Sequence, residues 1–330
     1  MDARGNIPEI DLSWLVKPPD TFRERIRELR KLESDPRALG RELAGYRLRG
    51  SQLHTLDTTL AELASNEANA IRVGVLSNGT IDLVLPALTV AAPRHGVWIQ
   101  TISAAFDQVA AESLDPNSTI NKAHSHFALV LIDYRELPLV PTPGDEERAR
   151  ESVRAAVNYV DSIRAALSKT SGCTVVVQTA PAPPESLFGS LDTSTPGTLS
   201  WLIDHYNREL TAKISGSYDL LLDTGRLAQV VGLPRWHDPT QWTLGNFSYA
   251  LHLIPLYADW VGRLIGSAHG KSRKCLVLDL DNTLLGRCHR RRRARGHHFR
   301  KWKSSGRGIP GGSARRASLE RARCRSDRIV

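Results

Sequence analysis

From about residue 69 to residue 267, short apolar runs alternate with helical stretches, and this alternation limits the fold more than any other feature of the chain. The strand candidates are Ile71–Leu76, Val97–Ile102, Phe127–Ile132, Thr174–Gln178 and Tyr218–Leu222. Helical patterns lie between them at Asp82–Ala92, Glu146–Leu167 and Leu199–Ile214, and a last helix covers roughly Tyr249–Ile265. Alternating β and α segments imply a mostly parallel sheet with helices on both faces, a three-layer α/β/α architecture. Residues 1–68 read as a helical leader: Thr21–Leu32 is amphipathic, and Asp35-Pro36 is a good N-cap and first-turn pair for a second helix.

At 330 residues the chain is long enough for two domains. No apolar run approaches the roughly 18–20 residues of a membrane span, and MDARGNIPEIDLSW has no signal-peptide core, so no membrane partner is expected. Cys173, Cys275, Cys288 and Cys324 form no CxxC pair and no disulfide framework, which points to a reduced, cytoplasmic protein.

The charge is unevenly placed. Residues 287–330 hold 16 Lys/Arg against 2 Asp/Glu, leaving 28 of the chain's 44 basic and 33 of its 35 acidic residues in front of them. The body is therefore mildly acidic, and the net +9 belongs to the tail. That tail has almost no Val, Ile or Leu and no period of 2 or 3.6, so it is expected to be disordered. Arg290–Arg293 and Arg295 form a basic run without a helical scaffold, so a nucleic-acid partner is not the leading expectation, and a basic-tailed nucleic-acid-binding protein stands as an alternative reading. The spacings of Cys288, His289, His297, His298 and Cys324 match no standard zinc knuckle.

The motif with chemistry in it is CLVLDLDNTLLG, residues 275–286. An apolar strand, Cys275–Leu280, delivers Asp279 and Asp281 at its C-terminal edge, where open α/β sheets bind ligands. Two carboxylates there suit phosphoryl transfer: one attacks phosphorus, the second handles the leaving-group proton, and a divalent cation offsets negative charge.

Strand-DxDxT-L resembles the first motif of the HAD superfamily. The resemblance makes Asp279 the nucleophile that forms an aspartyl-phosphate, Asp281 the general acid/base, and Asn282 and Thr283 substrate contacts. It implies Mg2+ held by the Asp279 carboxylate and the Asp281 backbone carbonyl. Upstream, VGVLSNGTIDLVLPAL, LDPNS, FALVLIDYREL and VVVQTAP precede KCLVLDLDNTL in an order similar to FkbH-like proteins, over about residues 14–286. These carry an SGNH-hydrolase-like (flavodoxin-like) α/β domain before a HAD domain. The implied organisation is a leader at 1–68, an SGNH-like domain at 69–267, the start of a Rossmann-like HAD domain at 268–286 and an aberrant tail at 287–330. The implied activity is transfer of a phosphorylated glyceryl unit from 1,3-bisphosphoglycerate to an acyl carrier protein, with removal of the phosphate, for polyketide-type biosynthesis.

Two departures from the family qualify this. The GDS nucleophile pattern of SGNH hydrolases is absent from the first strand-to-helix turn. Ser77, Asn78 and Thr80 stand there as a candidate second site, or as plain turn formation with Thr80 capping the next helix. Asp204-His205 and His237-Asp238 do not have the DxxH spacing, and His124, His126 and His252 read as ordinary histidines. The alternatives are thus a hydrolase at Ser77, or a degenerate scaffold that docks the carrier protein. The second departure follows Gly286, where the Ser/Thr, Lys and acidic pair of the HAD family do not appear. One inserted C turns GGC-GGT-GTC-ATC, the family's Gly-Gly-Val-Ile, into GGC-CGG-TGT-CAT, which reads Gly286-Arg287-Cys288-His289. Continued in that frame, codons for glycine, aspartate and glutamate become arginine codons. The tail is accordingly expected to be an out-of-frame HAD segment, and the chain an inactive copy.

Overall fold

The computed structural model describes residues 12, 14–32, 35–65 and 69–271. Cys275–Gly286, with Asp279, Asp281, Asn282 and Thr283, and the tail from Arg287 lie outside the described residues.

Five strands form one all-parallel sheet: β1 Ile71–Ser77, β2 Ile99–Ser103, β3 Phe127–Leu131, β4 Thr174–Gln178 and β5 Leu220–Leu222. Their spatial order is β2-β1-β3-β4-β5. The helices are α1 Phe22–Lys31, α2 Arg37–Ala44, α3 Ser51–Ser65, α4 Val84–Ala91, α5 Val109–Leu114, α6 Thr119–Lys122, α7 Glu146–Ser171, α8 Leu199–Ile214, α9 Thr224–Val231, α10 Leu233–Trp236, α11 Pro239–Gly245 and α12 Ile254–Gly266.

Strand side chains alternate between faces, and the two faces fill two different cores. Val73, Val75, Leu129, Leu131 and Val176 pack with Leu88, Leu227, Tyr257 and Val261 of α4, α9 and α12. Leu76, Ala128, Val130, Val175 and Val177 pack with Val153, Val160, Leu202 and Tyr206 of α7 and α8. Burial on both sides explains why these strands read as unbroken apolar runs. A third cluster joins Phe22, Ile26, Leu43, Leu56 and Leu60 of the first three helices to Val90 and Trp98. No described helix is long and apolar enough to cross a membrane.

Local chemistry sets the helix limits. Asp145 accepts from the Arg148 N–H at the start of α7, and Gly172 takes the left-handed conformation (φ 65°) that ends it. Asp35 accepts from the Arg37 N–H, so α2 starts one residue after the Asp-Pro pair suggests. Three further boundaries differ from the sequence pattern. β2 starts at Ile99 because Ala92–His95 forms a tight 3-10 turn that runs into the strand through Gly96. β5 starts at Leu220, and Tyr218 is exposed. The last helix starts at Ile254, since Tyr249 belongs to a buried loop that a 3-10 turn at Leu251–Leu253 connects to α12.

Candidate functional site

The chain leaves β1 for β2 on one side and β3 for β4 on the other, so the C-terminal ends of β1 and β3 flank a topological switch point. Sheets of this order bind ligands there. Ser77, Asn78 and Thr80 all lie at this point, as the sequence placed them.

The three residues do different things. Ser77 is buried, and its Oγ accepts from the Gly79 N–H at 2.9 Å. No histidine or carboxylate is bonded to it among the described residues, so it lacks the base that would make it a nucleophile. Asn78 is buried too, and its Oδ1 accepts from the Asp133 N–H at 2.9 Å, which ties the β1 turn to the β3 turn. Thr80 does not cap α4, whose first turn receives no side-chain cap. Its N–H donates to Asn246 O, and its hydroxyl donates to Gly245 O.

That pair of bonds straps the segment after α11 across the end of β1. Gly79 makes the close approach possible: a Cβ there would stand 2.8 Å from Asn246 O and 2.9 Å from Ser248 Oγ. Beneath the strap is a space of about 20 Å³, lined by Ser77, Gln178, Ser248, Tyr249 and Tyr257 among others. This is room for about one water molecule.

Two residues complete the site: Asp133, which the sequence reading passed over, and His237, which it set aside for lacking the DxxH spacing. Asp133, two residues past the end of β3, is buried and pairs with Arg135 Nη1 at 2.9 Å. Burial pushes its carboxyl pKa up, and Arg135 only partly offsets this. His237 is buried edge-on against Tyr134, with Nε2 2.9 Å from Ala182 O. Since a carbonyl only accepts, Nε2 carries the proton and Nδ1 is a bare acceptor. Burial lowers the His237 pKa and keeps the ring neutral. The signal for Asp133 in the sequence is an acid set immediately after the apolar run of β3.

Asn78 Nδ2, Trp236 Nε1, His237 Nδ1 and Tyr249 OH are buried without a hydrogen-bond partner among the described residues. Buried polar groups are nearly always satisfied, and these four, against Ser125 Oγ and Thr142 Oγ1 elsewhere among the described residues, make this edge of the sheet the candidate working surface. The other candidates lie away from it. His205 stacks on Trp201 of α8, Asp238 caps α11, and the His126 ring accepts from the Arg72 N–H. Cys173 is buried, with its thiol pushed up to about 11, and is no nucleophile. Among the described residues no group of three or more His, Cys, Asp or Glu is placed to hold a metal ion.

No protein-family model matches the chain, and no curated protein matches it. Among solved structures it is similar to the N-terminal part of the protein BF1531 from Bacteroides fragilis, which contains a phosphatase domain and was crystallised with Mg. Identity is 18% and the TM-score 0.59, over 70% of this chain and 61% of that one. The likeness shows a shared fold, and this chain spans about three fifths of the length of that N-terminal part. Weaker similarities reach a putative SGNH hydrolase from Slackia heliotrinireducens (13% identity, TM-score 0.37, 60% of this chain and all of that one) and the acetyl xylan esterase AlAXEase (12%, 0.37, 58% and 98%).

Proposed function

We propose that this chain is an FkbH-like protein whose α/β body is a non-hydrolysing scaffold and whose phosphoryl chemistry belongs to Asp279 and Asp281. The observation that carries the reading is Ser77, which lies under the Asn246–Ser248 strap and is bonded to its own turn, with no histidine or carboxylate bonded to it among the described residues. With that hydroxyl set aside, LDLDNT is the chemistry-bearing motif that remains.

In this reading Asp279 attacks the phosphoryl group, forming an aspartyl-phosphate, and Asp281 passes a proton to the leaving oxygen and later activates water. The Asp279 carboxylate and the Asp281 backbone carbonyl are hard oxygen ligands that would suit Mg2+, which supplies charge neutralisation on the transferring group when bound. The substrate class is a phosphorylated glyceryl donor, the acceptor an acyl carrier protein, and the frame after Gly286 leaves this chain without the remaining HAD groups.

The test compares the 330-residue chain with the protein encoded after deletion of one base behind the Gly286 codon. Mg2+-dependent phosphate release and carrier loading from 1,3-bisphosphoglycerate are expected only in the second protein, and Asp279→Asn should abolish both. Asp279-dependent turnover by the 330-residue chain, or a stop codon soon after Gly286 in the other frame, refutes the proposal. A serine hydrolase reading predicts p-nitrophenyl acetate hydrolysis that Ser77→Ala removes; equal background rates in both proteins are expected instead.

A further inference from the structure

Asn78 and Arg135 grip the same residue from two sides. The Asn78 Oδ1 takes the Asp133 backbone N–H, and Arg135 Nη1 takes the Asp133 carboxylate. Each keeps donors that no described residue uses. Asn78 Nδ2 is buried and unpartnered. For Arg135, the Asp133 carboxylate is the one acceptor of its guanidinium among the described residues.

The guanidinium is also held in place. Its carbon stands 4.6 Å from the centre of the Tyr134 ring and 4.3 Å from that of Trp242. Rings against a guanidinium leave its in-plane N–H donors free. The side chain is 24% exposed, at the C-terminal edge of the sheet. A fixed guanidinium with spare in-plane donors is suited to two parallel bonds with the oxygens of an anion.

We infer that Asn78 and Arg135 form a binding subsite for a small oxyanion, a carboxylate or phosphate group, at the β1/β3 switch point. Asp133 opposes a second anion less than an ordinary aspartate would, because burial already favours a proton on it. Tyr134, His237 and Glu185 are the other titratable groups close enough to Asp133 or its neighbours to be felt. The inference does not depend on the Asp279 chemistry, since every residue in it belongs to the α/β body.

The experiment measures thermal unfolding of the full chain against increasing inorganic phosphate or acetate, with chloride as control at equal ionic strength. A ligand that binds the folded state raises the midpoint with concentration. A rise with phosphate alone identifies a phosphate-bearing ligand, and a rise with acetate alone a carboxylate. Arg135→Lys and Arg135→Gln should each weaken the apparent affinity about tenfold or more, because neither keeps the fork. An equal rise with chloride, or unchanged affinity in both variants, overturns the inference. Should the variants not fold, phenylglyoxal labelling of the wild-type chain decides: the binding anion must protect Arg135, and undiminished labelling refutes the subsite.

Discussion

Asp259 and Asp133 are both buried, both meet arginine, and both hold parts of the same domain together, yet their surroundings differ. Asp259, on α12, has Arg94 Nε and His95 Nε2 each at 3.0 Å and Arg263 Nη2 at 3.2 Å. Arg94 also donates to Ala44 O, so the network links α12 to the leader helices. Burial alone would raise the Asp259 pKa; His95, Arg94 and Arg263 outweigh it and hold the carboxyl below its ordinary range. Asp133 has one cation and a raised pKa, and it stands among the unpartnered donors of the switch point. Where polar groups are satisfied the structure is scaffold, and where they are left short it is a surface prepared for something else.

The largest expected effect comes from breaking the satisfied network. Asp259→Ala leaves Arg94, whose side chain is only 9% exposed, as an uncompensated buried charge. This should cost about 3–5 kcal/mol in urea unfolding. A loss under about 1 kcal/mol would mean that solvent reaches the network and the contrast with Asp133 is false.

Gly79→Ala acts at the other end. The added Cβ meets Asn246 O and Ser248 Oγ, and backbone must move to admit it. The expected cost is about 1–3 kcal/mol. Loosening of the strap should appear as faster amide exchange at Thr80 and Asn246, with the α7 amides unchanged. Unchanged exchange at Thr80 would show that the strap is not held by this approach.

Much of the sheet was legible because its strands are apolar on both faces. Phe127–Ile132 and Thr174–Gln178 could not be exposed loops, and both are strands within a residue of the expected limits. The strap was not legible. The bonds of Thr80 to Gly245 and Asn246 span some 165 residues, and no local pattern encodes a contact of that range. The role of Arg135 was not legible either, since only the fold brings Asn78 to Asp133 and Trp242 against the guanidinium. Asp279 and Asp281, the clearest chemical signal in the sequence, lie outside the described residues, so the fold adds nothing to their reading.

The pH dependence sharpens the comparison of the two aspartates. With its folded pKa raised, Asp133 adds stability that is fully present below the unfolded value of 3.8 and lost as pH rises through the folded value. Asp259, with its folded pKa lowered, adds stability that is present above 3.8 and lost as pH falls through its folded value. Asp133→Asn removes the first dependence only. Relative to the wild type it should gain stability as pH rises above about 4, which urea unfolding at a series of pH values measures. A variant that loses ground with rising pH would show that Asp133 is a structural ion pair like Asp259.

The smallest effect separates two stacked tyrosines. Tyr249 and Tyr257 lie with ring centres 4.8 Å apart, and both are buried. The Tyr257 hydroxyl donates to Gln178 Oε1 at 3.0 Å, and the Gln178 amide in turn donates to Ile132 O. Tyr257→Phe removes a bond and leaves a buried acceptor short, at a cost of about 1–2 kcal/mol. Tyr249→Phe removes a hydroxyl that has no partner among the described residues, so it should change stability by less than about 0.5 kcal/mol or increase it. The stacking area is the same in both variants, so packing drops out of the difference. Equal losses would mean that the Tyr249 hydroxyl is bonded through a water in the space it shares with Ser77. That edge of the sheet would then be better satisfied than the direct bonds show, and its case as a working surface would rest on Asn78, Trp236 and His237.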